Sequence, residues 1–485
     1  MRSPLALIRR VTPLLAVLLL ALQAWAQPIT REEKEEVLTS LGEIVTRRAF
    51  VPGVDMGQWP TFLEKHRESI DKAEQQEPFV RAVNGALRNF GLSHLRMRSP
   101  TSTRQRETNS TVGLGIGTAK EEDKLVVVEV YPQGPAAEVG LQIGDQIVAV
   151  DGNRPGEPGE LRGEEGTEVT LKIARADGTE AEVKITRRQF TAVRLDSLRW
   201  LDEETAVLKV NTFARGYDRE QIEKLMEEAA GKARHLIVDL RSNGGGATNN
   251  LRHFLSELLP PNTVIGTFVS RRAMNEYVKA GEGDGTDVVA LAKWWPRKFR
   301  TSRDAPGFDG KIVVLINRGS ASASEIAAAA LSEIAGARLV GSRTAGAVLA
   351  SVYGRLPHGF SVQYPIDDYV TAQGVRLEKN PREPDKAVTT RRGGPDLAMD
   401  KAAEVVRAMA VAAAGKPAEG EAKSVGDPAN SAEGDPPADG GKPATDGAGE
   451  AGPKTEPAKT EPVPASDSPK RQSLRLGGVE YRRAA

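Results

Sequence analysis

Val37, Leu38, Leu41, Ile44 and Val45 recur at the spacing that places them on one face of a helix, which predicts a helix over 32–49. The stretch 62–90 suggests further helices, and from 111 to about 191 the pattern changes to short strands. Past Leu201 strands and helices alternate. A strand is expected at 206–210, a helix at 218–230, and an apolar strand at 236–240 that ends in a glycine loop and leads to a helix ending near 259. A second buried strand at 311–316 precedes a small-residue helix from about 323 to 334. Such alternation predicts α/β layering.

The two ends have a different texture. Arg2, Arg9 and Arg10 precede an apolar run from Leu14 to Leu22, and Ala24-Trp25-Ala26 follows it. A basic start, a short apolar stretch and small residues around a cleavage point predict a secretory signal over 1–26. The other reading is an uncleaved anchor, because 11–30 carries no charge. Pro13, Gln23, Gln27 and Pro28 interrupt that stretch, and the apolar run is short for a span. The chain is therefore expected to be exported, to a periplasmic, cell-envelope or extracellular location, and membrane-anchored if the signal is retained. From Gly415 onward Ala, Gly, Pro, Glu, Asp, Lys, Ser and Thr dominate, and no aromatic residue appears before Tyr481. Such a segment buries too little apolar surface to offset its chain entropy. A disordered tail over 415–485 is expected, one that could bring the protein close to a membrane or cell wall.

Composition narrows the chemistry. The 485 residues carry 66 Lys+Arg against 66 Asp+Glu, a balance that argues against a nucleic-acid partner. With no Cys there is no disulfide framework, thiolate metal site or cysteine nucleophile, and 5 His give little to build a metal site from. No metal and no cofactor are expected.

Thr111-Val-Gly-Leu-Gly-Ile-Gly117, then Gly134-Pro-Ala-Ala-Glu-Val-Gly-Leu141, then Gly144-Asp-Gln-Ile-Val-Ala-Val-Asp-Gly152 occur in order. This series resembles a PDZ domain. Glycines let successive N–H groups converge on a carboxylate, and a strand after such a loop can pair with an extended peptide. The resemblance implies peptide binding at Gly113, Leu114, Gly115 and Ile116. A PDZ fold serving only as a packing module or lid is the other reading.

Gly319-Ser-Ala-Ser-Ala-Ser-Glu325 follows one buried strand and opens a helix, a turn that can present a serine at a sheet edge. Asp239-Leu-Arg-Ser-Asn-Gly-Gly-Gly246 follows another. Together with the helices and PDZ-like segment ahead of them, these resemble the C-terminal processing and tricorn-like serine peptidases. The resemblance implies Ser322 as nucleophile, Ala323 N–H as one oxyanion donor, and Gly245 or Gly246 as the other. The tail-specific branch of that family pairs its serine with a lysine in a Thr-Phe-Gly-Lys-Gly segment. Here the matching stretch is Thr344-Ala-Gly-Ala-Val348, and Ala347 holds the lysine position. A Ser–Lys dyad at that site is excluded.

A serine still needs a base. His94, in Phe90-Gly-Leu-Ser-His-Leu, precedes the PDZ-like segment as in the tricorn-type branch. Glu378, set by register from Pro384-Asp385, takes the acidic position, with Glu383 as fallback. Lys379 and Pro381 depart from that branch's pattern. The resemblance thus implies a tetrad of Ser322, His94, Ser93 and Glu378. It requires His94 within hydrogen-bond reach of Ser322 Oγ and Glu378 beside Ser93. His235, His253 and His358 read as packing, surface or turn residues. Ser320 and Ser324 read as cap and packing residues, Glu325 as a cap or loop-orienting residue, and Arg241 and Asn243 as braces of the glycine loop.

The expected architecture is α/β: a crotonase-like ββα peptidase core, an N-terminal helical subdomain and an inserted β-rich PDZ domain. The expected boundaries are 1–26 signal, 27–107 helical region, 108–191 PDZ, 192–414 peptidase core and 415–485 tail. Two functions fit: an exported serine endopeptidase acting on protein or peptide substrates, and an inactive PDZ scaffold on a degenerate peptidase core. A third reading, an apolar-ligand binder, follows from other relatives of the family.

Overall fold

The computed structural model describes residues 27–121, 124–175, 177–389 and 395–414. The expected signal and tail lie outside them. Helix α1 (Arg31–Glu43) starts at a capping box in which Thr30 and Glu33 satisfy each other's backbone N–H groups. The expected helix over 32–49 does not continue as α-helix: Ile44–Arg48 is a π-turn. Ala49 N–H reaches back to Ile44 O, and Thr46 Oγ1 donates to Gly42 O. Short helices Trp59–Glu64 and Arg67–Asp71 lead to α2 (Gln76–Phe90). Strand β1 (Arg96–Arg98) and helix α3 (Pro100–Thr108) follow.

The PDZ-like segment holds β2 (Ser110–Gly113), β3 (Ile116–Glu121), β4 (Lys124–Val130), the short helix α4 (Pro135–Glu138), β5 (Gln146–Val150), β6 (Glu168–Ala174), β7 (Glu180–Thr186) and β8 (Arg188–Thr191). Strands β3 to β7 form one antiparallel sheet in chain order, with β3 at its edge, and β2 pairs with β8.

The larger core contains β9 (Ser197–Trp200), β10 (Thr205–Lys209), α5 (Arg219–Ala230), β11 (His235–Asp239), α6 (Thr248–Ser256), β12 (Val264–Ser270) and β13 (Phe299–Arg300). It continues with β14 (Lys311–Ile316), α7 (Ala323–Ala335), β15 (Arg338–Gly341), β16 (Ala350–Arg355), β17 (Ser361–Thr371), β18 (Lys386–Ala387) and α8 (Leu397–Ala414). Six strands form a sheet in the order β18-β15-β14-β11-β10-β9, parallel except for β9. Its central strands are apolar on both faces, as a parallel sheet covered on both sides requires. Leu208, Val238 and Val314 face the layer of α5, α6 and α7, while Val207, Ile237 and Val313 face α8.

A second, antiparallel sheet runs β1-β17-β12-β13, with β16 also on β17. Helices α1 and α2 pack against it through Leu349, Leu356, Phe360 and Val362. Two consequences position the site. Adjacent strands β11 and β14 run parallel, so the loops after them lie side by side at the carboxyl edge, where open α/β sheets build their sites. Packing of α2 on the second sheet carries the segment after it toward the same edge.

Ile237 sits in the middle of β11, fully buried. Ile237→Ala should cost about 2–4 kcal/mol through lost burial plus a cavity, seen as a lower denaturation midpoint. Val411→Ala, at a site 74% exposed, should stay within about 0.5 kcal/mol.

Candidate active site

Ser322 caps α7 with φ 56 and ψ −120, outside the ordinary regions for a residue with a side chain. Such a conformation persists only where neighbours hold it. Ser322 N–H donates to Ala347 O at 2.9 Å and to Glu325 Oε2 at 3.1 Å. Ala321 N–H donates to Asn243 O, and Ser320 Oγ donates to Leu240 O at 2.9 Å, so the turn is tied to the neighbouring strand end. Ser320, expected as a cap or packing residue, is buried and braces the turn through this bond. Ser324 is buried in the packing, its hydroxyl without a partner among the described residues.

His94 reaches the site by a different route. Gly91 ends α2 in the left-handed region. The chain then turns back, and Asn84 clamps it: Asn84 Nδ2 donates to Met97 O at 2.9 Å, and Met97 N–H donates to Asn84 Oδ1 at 2.8 Å. Pairing of β1 with β17 fixes the far end. Between the two, Ser93 Oγ lies 2.9 Å from His94 Nδ1 and 2.8 Å from Glu378 Oε2. Ser93 N–H also donates to Glu378, and Val348 N–H donates to it at 2.9 Å. Glu378 is buried, whereas the fallback Glu383 is exposed.

The hydrogen-bond directions follow from the chemistry of the groups. A carboxylate only accepts, and the Ser93 hydroxyl has one proton to give. With that proton on Glu378, Ser93 Oγ accepts from His94 Nδ1–H. The imidazole therefore carries its proton on Nδ1 and a lone pair on Nε2. Burial pushes His94 below the ordinary imidazole range, and the Glu378 charge partly offsets this.

The sequence reading expects a hydrogen bond between His94 and Ser322. Among the described residues none joins them; both line one cleft of about 980 Å³. The arm from Glu378 to His94 is assembled and its last link is open, a common arrangement where substrate is needed to tighten a site.

Residues 344–348 connect the two halves. Glu325 is fully buried and accepts from Thr344 Oγ1 at 2.6 Å, Gly346 N–H at 2.7 Å and Ala347 N–H at 2.9 Å, besides Ser322 N–H. Burial pushes its carboxyl up, and these donors pull it back. The next N–H, of Val348, belongs to Glu378.

The glycine loop closes the other side. A Cβ on Gly245 would lie 2.8 Å from Ser322 Cβ and 2.9 Å from Ala323 N, so only glycine permits this approach. A Cβ on Gly246 would meet the Phe213 backbone at 2.0 Å. Gly245 N–H is spent on Asn243 Oδ1 at 2.9 Å. Neither Gly246 N–H nor Ala323 N–H has an acceptor among the described residues. The sequence leaves Gly245 and Gly246 as alternatives; this geometry favours Gly246 as the free donor. Asn243 braces the loop as expected, its Nδ2 donating to Val210 O, and Arg241 pairs with Asp239 and Asp396.

The remaining histidines stay away from the serine. His253 joins Tyr217 and Glu223, His358 sits in a turn beside Glu36, and His235 opens β11. In the PDZ-like loop, Gly113 ends β2, and Leu114 and Gly115 carbonyls accept from Ala136 and Tyr131. Gly115 packs on Gly134, where a Cβ would come within 2.5 Å of Gly134 Cα, and Ile116 begins edge strand β3. Among the described residues no group of three or more His, Asp or Glu is placed to hold a metal ion, and no helix is long and apolar enough to cross a membrane.

Sequence reasoning missed two features. The Asn84 clamp was legible as a polar residue on the apolar face of a helix. The cleft residues Arg106, Tyr131 and Arg215 had no signal, since only folding brings them together.

The profile of peptidase family S41 matches residues 204–388, which include the glycine loop, Ser322 and Glu378 but not His94. The PDZ domain profile matches 126–175. A carboxyl-terminal-processing protease of Synechocystis sp. is 29% identical over 291 residues, covering 58% of this chain and 62% of that protein. The alignment thus spans less than two thirds of that relative. A protein of the same name from Picosynechococcus sp. is 26% identical over 396 residues, covering 77% of this chain and 88% of its own. Among solved structures, the photosystem II D1 C-terminal processing protease aligns over 78% of this chain and 98% of its own, at 20% identity and TM-score 0.41. The tricorn protease aligns over 78% of this chain and 37% of its own, at 15% identity and TM-score 0.46. The chain thus carries a region over 204–388 that matches peptidase family S41 and one over 126–175 that matches a PDZ domain.

Proposed function

We propose that this chain is an exported serine endopeptidase of the C-terminal processing kind, working through Ser322 and His94 rather than a Ser–Lys dyad. The observation that carries the reading is the series of contacts from Glu378 through Ser93 to His94 Nδ1, which leaves Nε2 without a partner among the described residues, in the cleft that Ser322 lines. His94 Nε2 takes the proton as Ser322 Oγ attacks the scissile carbonyl, and returns it to the leaving amine. Ala323 N–H and Gly246 N–H hold the oxyanion at the start of α7, where the helix dipole helps. A water then attacks the acyl-enzyme with His94 again as base. Ser93 and Glu378 fix the tautomer and stabilise the imidazolium. The PDZ domain, spanning 108–191 in this reading, offers edge strand β3 and the loop Gly113–Ile116 to a substrate peptide. Export rests on the signal-like pattern of 1–26.

A second reading, an inactive PDZ scaffold, draws on Ala347 at the lysine position and on the open link between His94 and Ser322. One experiment separates them. A fluorophosphonate probe should label the wild-type chain and leave Ser322→Ala unlabelled. Folded wild type that resists the probe, or equal labelling of both, would sink the peptidase reading.

Because His94 is held below the ordinary range, its neutral base form persists to lower pH. The acid limb of kcat/KM should have its midpoint below ~6.5. Glu378→Gln removes the charge that raises His94, so the midpoint should move lower still, with a smaller kcat. A midpoint at or above the ordinary value contradicts the assignment.

Glu325→Gln would aim an amide NH₂ at backbone donors now satisfied by a carboxylate oxygen. It should lower kcat by about tenfold to a hundredfold with little change in KM, since the effect is on the placement of Ser322. Unchanged kcat in a folded variant would show that Glu325 does not position the turn.

A further inference from the structure

Two cavities meet at Ser322 and share Gly246, Ala247 and Ser351. The smaller, about 230 Å³, is lined by Phe268, Ile326 and Val348 and does not include His94. The larger includes His94. Resting on the proposed function, the base that protonates the leaving amine marks the larger cavity as the side of the departing fragment.

The charged lining of that side is of one sign. Arg106, Arg194 and Arg215 line it, and among the described residues no carboxylate does. Arg194 is neutralised by Glu129. Neither Arg106 nor Arg215 enters an ion pair among the described residues. Both are nonetheless held in place. The Arg106 guanidinium stacks over the Tyr353 ring, 3.2 Å from its centroid, and its N–H groups have no acceptor among the described residues. Arg215 donates one N–H to the carbonyl of Glu107, the residue after Arg106. Two permanent cations are thus fastened at the carboxyl end of α3, lining the cleft, and among the described residues most of their donors have no acceptor. A guanidinium fork matches a carboxylate and binds it with charge-assisted hydrogen bonds.

We propose that the leaving side of this cleft recognises a carboxylate, so that preferred substrates are acidic on the C-terminal side of the cleaved bond. The carboxylate can come from Asp or Glu side chains or from the substrate's own chain end, and the test separates these sources. Fluorescein-labelled peptides with an apolar N-terminal half and a Glu-Glu-Ala end are titrated against full-length Ser322→Ala protein by anisotropy. Companion peptides carry Gln-Gln-Ala, an amidated end, or both. The peptide with all carboxylates should bind about tenfold tighter than the one with none, and less so at high salt. Loss on Glu→Gln assigns side chains, loss on amidation assigns the chain end, and either supports the proposal. The preference should vanish in R106Q/R215Q, whose melting temperature checks that it is folded. Equal binding of all peptides, no binding of any, or a preference that survives R106Q/R215Q overturns the proposal. Fluorophosphonate labelling of wild type reports on the peptidase reading separately: labelled protein without carboxylate preference rejects this inference alone, and preference without labelling rejects only the peptidase reading.

Discussion

The segment 344–348 is gripped from both sides by buried carboxylates, and the geometry of the site depends on that grip. Glu325 holds Thr344, Gly346 and Ala347 together with the Ser322 backbone, while Glu378 holds Val348 together with Ser93. A buried carboxylate is costly unless its oxygens are satisfied, so each is tolerated only in this arrangement. The consequence is positional. The serine and the histidine come from segments far apart in sequence, and one short loop fixes them relative to each other. Ala347, where the Ser–Lys branch has its base, serves here through its backbone: its N–H goes to Glu325 and its carbonyl accepts from Ser322.

The rest of the fold delivers the parts to that loop. Parallel pairing of β11 and β14 brings the glycine loop against the serine turn, at a distance no side chain on Gly245 would allow. Packing of α2 on the antiparallel sheet, with the Asn84 clamp, sets where the chain turns at Ser93 and His94. The Nδ1–H tautomer then follows from which groups can donate, and burial keeps the ring neutral.

Much of this was legible in the residues. The apolar run at 311–316 coincides with β14, and the strand expected at 236–240 lies one position earlier, at 235–239, because its end is set by pairing with β10 and β14 rather than by hydrophobicity. The neighbourhood of Ser93, His94 and Glu378 came from motif resemblance, and their hydrogen bonds are consistent with that register. What could not be read was spatial. Gly245 and Gly246 are alike in sequence, and only the bond from Gly245 N–H to Asn243 distinguishes them. Arg106 and Arg215 lie on separate segments and meet only through folding. The π-turn at 44–48 interrupts a periodicity that looks unbroken along the chain.

The central claim is that His94 carries its proton on Nδ1 and offers Nε2 toward Ser322. Long-range ¹H–¹⁵N correlation of the imidazole at neutral pH reads this directly. The account predicts a neutral ring with the proton on Nδ1, converting to a mixture of tautomers in Ser93→Ala. A ring protonated on Nε2, or one fully charged at neutral pH, would contradict it.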